Sequence, residues 1–85
     1  MRFRGNLVRV VWTDAHHIGQ SWLSDEEAIA ECKSASLTCE TVGRLIVSTE
    51  DRIAVAQSVS DGCVDNLMII PRHAVISVQN ILQKE

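Results

Sequence analysis

The chain has 85 residues, of which 46% are hydrophobic and 22% are charged, and its formal net charge at pH 7 is −3. This composition is typical of a single globular domain over residues 1–85 and excludes a disordered chain of low hydrophobicity and high charge. The negative charge argues against broad coating of a nucleic-acid backbone. The longest apolar run, Leu67-Met68-Ile69-Ile70, is far shorter than the roughly 20 residues of a membrane-spanning helix.

The sequence also predicts the cellular location of the protein and the means by which it is stabilised. No basic segment followed by a long apolar run opens the chain, so we expect no secretory signal and a cytoplasmic protein. Its three cysteines are widely spaced and form no CxxC motif, which predicts reduced, mostly buried thiols and no disulfide framework. A domain of this size buries only about 60% of its surface on folding. Self-association would therefore add needed stability.

One strand, a loop and the only helix are predicted in the first half. Residues 7–12 are apolar and largely β-branched, which suits a mostly buried strand, and Asp14 ends it. Residues 15–23 have no clean periodicity, so we interpret them as a loop. Ser24-Asp25-Glu26-Glu27 matches the capping box, which predicts a short helix over 25–33 with acidic residues at its N-terminal end.

The second half of the chain is predicted to form consecutive β-strands. Strands are predicted at 37–48, with a bulge or bend at Gly43, and at 53–59, 65–70 and 75–82. The turn signals between them are 49–52, 60–62 and Pro71-Arg72-His73-Ala74. Because Pro71 lacks an amide hydrogen, the last of these should be one tight or 3₁₀ turn. Five short strands and one helix predict a mainly-β fold, a small, partly open or closed five-stranded barrel.

Residues 65–81 resemble the strand, one-turn helix and strand that close SH3-like and Sm-like barrels. An aliphatic strand is followed by Pro71-Arg72, a turn and the alternating Val75-Ile76-Ser77-Val78. Pro71-Arg72 stands where Sm-like proteins usually have Arg-Gly, and the hairpin at 53–59 lacks the Asp and Met-Asn of their first signature. The resemblance therefore implies an SH3-like or Sm-like barrel without uridine-type RNA recognition.

A second resemblance covers more of the chain. Its marks are Trp12-Thr13-Asp14-Ala15-His16, Trp22, the acidic segment 25–31, Val42-Gly43 and Ile70-Pro71-Arg72. In this order they look like a group of small, largely uncharacterised bacteriophage proteins. The resemblance implies a barrel in the cytoplasm of an infected bacterium and no particular chemistry.

Candidate binding residues concentrate in residues 11–22, VWTDAHHIGQSW, which hold both tryptophans. Trp12 is expected to pack in the core. Trp22 could either cover the end of the barrel or offer a flat stacking surface. With Arg residues of the N-terminal arm, such a surface could hold a nucleotide or short single-stranded nucleic acid. The predicted binding residues are Arg4, Asp14, His16, His17, Trp22 and Arg72.

Metal binding and catalysis are weaker hypotheses. Adjacent His16 and His17 on an extended chain point in opposite directions, so at most one could easily join a cysteine (Cys32, Cys39 or Cys63) in a zinc site. Cys39 or Cys63 could nominally form a triad with His16 and Asp14. The chain has no nucleophile elbow, P-loop or dinucleotide turn. We therefore expect no catalytic residue, no metal and no cofactor.

The leading hypothesis is a non-enzymatic binding and assembly module. The first nine residues carry three arginines and no acid, whereas residues 14–31 carry five acids and no base, and this asymmetry could steer one subunit against another. We expect a homo-oligomer, with a host or phage protein as a further partner. The alternatives are a nucleotide or single-stranded nucleic-acid pocket around residues 16–22 and, last, a zinc-binding or hydrolytic protein.

Overall fold

The computed structural model describes residues 5–15, 19, 21–35 and 37–81. The elements in chain order are β1 (Asn6–Thr13), α1 (Asp25–Ser34), β2 (Thr38–Ser48), β3 (Arg52–Ser60), β4 (Cys63–Pro71), a 3₁₀ turn (Arg72–Ala74) and β5 (Val75–Asn80). The strands form one antiparallel sheet in the order β4-β3-β2-β1-β5. The prediction of a mainly-β fold with five strands and one short helix is confirmed.

The sheet is not closed into a barrel, so of the partly open and closed forms that the sequence left open, the closed one is wrong. Over the described residues, β4 forms a ladder with β3 alone and β5 with β1 alone. Pro71 ends β4, and the following 3₁₀ turn delivers the chain to the free edge of β1 instead of returning it along β4. β4 and β5 are therefore the two edges of an open sheet.

The sheet nevertheless has to curl at one end. In a flat sheet of five strands the two edges would lie about 19 Å apart, that is, four strand spacings. The four steps from Pro71 to Val75 span at most about 14 Å when fully extended, and a 3₁₀ turn is shorter than that. The edges must therefore approach each other where β4 ends and β5 begins.

The core lies on the inner face of this curl. It consists of Val8 and Val10 from β1, Ile53 and Val55 from β3, and Ile70 from β4. Partly buried side chains surround it: Trp12, Leu45, Ala74 and Val75. These side chains share one face because residues at i and i+2 of a strand point the same way. The core is small for a chain of this length.

Gly43 in β2 is required by a close approach of two strands, not by a bulge. The pairing with β1 runs unbroken through Gly43, which lies opposite Val8. The register shift in β2 occurs on the side of β3, between Leu45 and Val47. A Cβ atom on Gly43 would lie 2.5 Å from the Ala56 carbonyl oxygen. Of the bulge or bend predicted at Gly43, the bulge is wrong, because the glycine serves packing and the irregularity lies at Ile46.

The helix α1 stands away from the sheet. None of its residues is buried, and the molecule measures 57 × 23 × 21 Å. Its radius of gyration of 16.8 Å exceeds the roughly 12 Å expected for a compact domain of this length. Within the described residues, no helix has the length and apolar character needed to cross a membrane.

We predict that Gly43→Ala destabilises the fold by about 2 to 3 kcal/mol, since the new methyl group meets backbone atoms that cannot move aside. Urea denaturation at fixed protein concentration measures the difference. The matched control is Gly62→Asn, because nothing lies within 4 Å of a Cβ at Gly62 and its φ of 79° is a conformation that Asn tolerates. Equal destabilisation by both variants would contradict the packing role of Gly43.

Candidate functional site

A helical arm, residues 21–35, projects from the end of the β1–β2 pair. Its base is closed by the hydrogen bond from the Asp14 backbone N–H to the Leu37 carbonyl, with an N···O distance of 2.9 Å. Trp22 opens the arm and its side chain is 99% exposed. Of the two roles considered for Trp22, the structure therefore shows the exposed surface and not a cover over the core.

The start of the helix is set by Ser24 and Glu27, as the sequence predicts. The Glu27 backbone N–H donates to the Ser24 hydroxyl at 3.1 Å, and the Ser24 backbone N–H donates to Glu27 Oε1 at 2.9 Å. Asp25, Glu26 and Glu27 fill the first turn and Lys33 the last, which suits the helix dipole. These local interactions support a ten-residue helix, a length that is marginal in water without packing.

The capping box also lowers the pKa of the Glu27 carboxyl group. The hydrogen bond from the Ser24 backbone N–H, with a smaller contribution from the Ser24 side chain, holds the pKa of the exposed Glu27 carboxyl below its ordinary value of 4.5. The ionised form of Glu27 is therefore favoured by the folded helix.

Arg72 holds two parts of the fold together. Its Nε donates to the Thr49 carbonyl at 2.9 Å and its Nη2 to the Ser48 hydroxyl. Its backbone N–H donates to the Asp51 carbonyl at 2.9 Å. The 3₁₀ turn is thereby tied to the β2–β3 hairpin. The guanidinium predicted for ligand binding thus contacts its own chain, and its role toward a ligand stays a prediction.

The remaining predicted binding residues separate into two groups. Asp14 is exposed at the base of the arm, where its Oδ1 accepts a hydrogen bond from the Ala15 backbone N–H at 2.7 Å. Arg4, His16 and His17 lie outside the described residues. Asp14 and Trp22 therefore share the region of the arm, whereas Arg72 is bound to the hairpin.

Trp12 differs from Trp22 in its burial and in its hydrogen bonding. It is partly buried beside the core, and its indole Nε1 donates to the Thr41 hydroxyl of β2 at 2.9 Å. The sequence prediction of a structural tryptophan agrees with this position. Sequence reasoning did not find the hydroxyl partner, because Thr41 becomes a neighbour only through the β1–β2 register.

The three cysteines lie on three different elements and none of them is fully buried, so the expectation of mostly buried thiols is wrong. Cys32 is exposed on the arm, Cys39 is half-buried opposite Trp12, and Cys63 is exposed at the start of β4. No group of three His, Cys, Asp or Glu side chains among the described residues could hold a metal ion together.

The two edges of the sheet carry apolar side chains that the sequence analysis did not single out as a site. On β4, Leu67, Met68 and Ile69 are exposed by 45%, 42% and 56%. On β5, Ile76 and Val78 are similarly exposed. Alternating or continuous apolar residues in a strand indicate a buried face, and only the strand order shows that both strands are edges.

The chain matches no protein-family model, no curated protein and no solved structure.

We predict that lowering the pH through the carboxyl range weakens the start of α1. Because the Glu27 pKa is lower in the folded helix, its stabilising effect is complete above the unfolded pKa and is lost as the pH falls through the folded value. NMR Cα shifts of Ala28 and Ile29 should move toward coil values on acidification. Ser24→Ala should lower helix stability by about 1 kcal/mol but keep this response, because its backbone N–H remains. Glu27→Gln, whose amide does not titrate, should flatten the response, and an unchanged response would contradict the role of the Glu27 carboxylate.

Proposed function

We propose that this chain is a non-enzymatic module that binds proteins, first of all further copies of itself, through the edges of its sheet. The observation that carries the proposal is the apolar character of both unpaired edges, β4 and β5. Exposed edge strands are normally protected by charges, prolines or covering segments. Asp65 and the terminal Pro71 protect the two ends of β4, but between them Leu67, Met68 and Ile69 are exposed, as is Ile76 on β5. This is the pattern of a surface that becomes covered.

The backbone of β5 also has peptide groups that face the free edge of the sheet and can bind another strand. The Ile81 N–H donates to the Leu7 carbonyl at 3.0 Å, so Ile81 directs its peptide groups toward β1. Because successive residues of a strand direct their peptide groups to opposite sides, Val78 and Asn80 direct theirs to the free edge. A strand from another copy could bind these groups and at the same time cover Ile76 and Val78.

Association would also complete a small core. The central cluster contains only aliphatic residues from three strands, and a domain of this length leaves a large share of its surface exposed. Burial of apolar area between subunits contributes roughly 25 cal/mol per Å², so covering both edges adds to the stability of each subunit.

We also propose a type of fold, a cellular location and a further partner for this module. The strand β4, the one-turn 3₁₀ helix and β5 follow one another as in SH3-like and Sm-like barrels, and the sequence marks around Trp12 and Pro71 resemble those of small phage proteins. We therefore place the module in the cytoplasm of an infected bacterium, with a host or phage protein as a further partner.

A second candidate function is stacking of a nucleotide or single-stranded nucleic acid on Trp22. The observation that favours it is the full exposure of the indole, since aromatic side chains stack bases. The acidic residues that follow, Asp25, Glu26 and Glu27, would repel phosphates. Titration of tryptophan fluorescence with nucleotides and oligonucleotides tests this candidate, and saturable quenching by a monomer would favour it over assembly.

We predict that light scattering shows particles larger than the 9.4 kDa chain and that Ile76→Lys shifts them toward monomers. A lysine at this 60% exposed position costs little within one subunit but places a charge in the covered edge. The association constant should fall by about tenfold or more.

The matched control is Ser60→Lys, which adds the same charge at an exposed position of β3, a strand that lies inside the sheet and not at an edge. It should weaken association less than Ile76→Lys. A wild-type chain that is monomeric at all concentrations would contradict the proposal.

A further inference from the structure

The two edges of the sheet differ in how well they are protected against pairing with another strand. β4 carries a charge at Asp65, a proline at its last position and an irregular residue, Asn66, in its first half. Asn66 has a φ of 54°, a left-handed conformation that does not continue the regular geometry of a strand. Charges, prolines and irregularities are the features by which natural edge strands avoid pairing. β4 is therefore protected at both of its ends.

The other edge, β5, has none of these features. Its six residues, Val75–Asn80, include no charge and no proline, and none of them has a positive φ. Its register against β1 shifts only at its start, and from Ser77 to Asn80 the pairing is regular. The side chains of residues 76–80 are all exposed. β5 therefore offers another strand an uncharged and regular edge.

The register between β5 and β1 identifies the peptide groups that face outward. Ile81 donates its N–H to the Leu7 carbonyl at 3.0 Å, so Ile81 and, two residues earlier, Gln79 direct their peptide groups toward β1. Val78 and Asn80 direct theirs to the free edge. In an antiparallel pair, outward-facing residues of one strand lie opposite outward-facing residues of the other. A partner strand must therefore present two such residues with one residue between them.

The same strand in a second copy meets this requirement. When Gln79 lies opposite Gln79 of the second copy, Val78 lies opposite its Asn80, and Asn80 opposite its Val78. Each of these two pairs exchanges both N–H···O bonds, so the outward peptide groups of both residues are bound in both copies. A pairing centred on Val78 would instead need Ile76 for its second pair, and Ile76 lies at the register shift.

From these observations we infer that β5 pairs with β5 of a second copy about a twofold axis at Gln79. The inference rests on the proposed self-association and names the strand of the partner that it uses. The axis is perpendicular to the sheet, so the inner faces of both copies lie on the same side of one continuous sheet. Val78 lies opposite the buried Val10 and is 40% exposed, and the partner strand then flanks its open side. β4 forms the two outer edges, where the further protein partner can bind.

The test uses two opposite substitutions at one residue of the full-length chain, Gln79→Lys and Gln79→Glu. Each variant alone sets like charges directly opposite each other across the axis, whereas an equimolar mixture sets opposite charges there. Each variant should therefore associate with itself about fivefold more weakly than with the other variant. Native mass spectrometry, with one variant labelled with ¹⁵N, measures the mixed dimers, which should exceed the proportion expected from random pairing.

This comparison separates contacts between copies from effects within one subunit. Arg9, the neighbour of Gln79 on β1, forms an ion pair with Glu40. Any effect of this pair on a new charge at residue 79 is the same in the separate and the mixed samples. The matched control is the pair Ser60→Lys and Ser60→Glu at an exposed position of the interior strand β3, which should mix in the random proportion.

A cross-link locates the contact without relying on charge. The background carries Cys32→Ser, Cys39→Ala and Cys63→Ser, and circular dichroism checks that it keeps the fold. Gln79→Cys in this background should form a disulfide-linked dimer on air oxidation. The reason is that the two Cα atoms of such a non-hydrogen-bonded pair lie about 4.5 Å apart, within the range of a disulfide. Leu67→Cys on β4 should stay unlinked.

Three results separate this inference from the proposed self-association. Random mixing of the Gln79 variants, with a cross-link at Leu67→Cys and none at Gln79→Cys, overturns the β5 contact and leaves association through β4 standing. Random mixing in particles larger than two chains indicates head-to-tail pairing of β4 with β5 and also overturns the twofold contact. A chain that is monomeric at all concentrations overturns both proposals together.

Discussion

The short connection between the last two strands is the constraint on which the rest of the structure depends. The 3₁₀ turn Arg72–Ala74 joins opposite edges of a five-stranded sheet, and so short a segment can do this only if the sheet curls. Arg72 reinforces the curl by binding the β2–β3 hairpin through both its side chain and its backbone N–H. The inner face of the curl is where Ile53, Ile70 and Val8 become a core.

The same curl explains what the sheet leaves open. Because β5 pairs with β1, β4 has only β3 as a neighbour, and apolar side chains of both edges stay exposed. The close approach of β2 to β3 at Gly43 holds the middle of the sheet, where Ala54 and Ala56 of β3 are buried. One subunit thus has a well-packed centre and an apolar periphery, a combination typical of proteins that associate.

The arm adds an element that the sheet does not stabilise. Its capping box and charge distribution favour a helix, yet local interactions contribute too little to hold ten residues without packing. The proposed self-association covers the edges of the sheet, so it adds packing to the subunit without accounting for the exposed helix.

Interactions between residues close in the sequence determined where the helix and the strands begin and end. Ser24 and Glu27 start a helix because a capping box acts over three residues, and Pro71 ends a strand because it lacks an N–H. Trp12 was recognisable as structural from its apolar strand. By contrast, the open sheet, the packing role of Gly43 and the hydrogen bonds of Arg72 depend on pairs that are far apart in the chain. Exposure of Leu67, Ile69 and Trp22 was decided only by the tertiary structure, because an apolar residue reads the same in a sequence whether it faces a core, an edge or solvent.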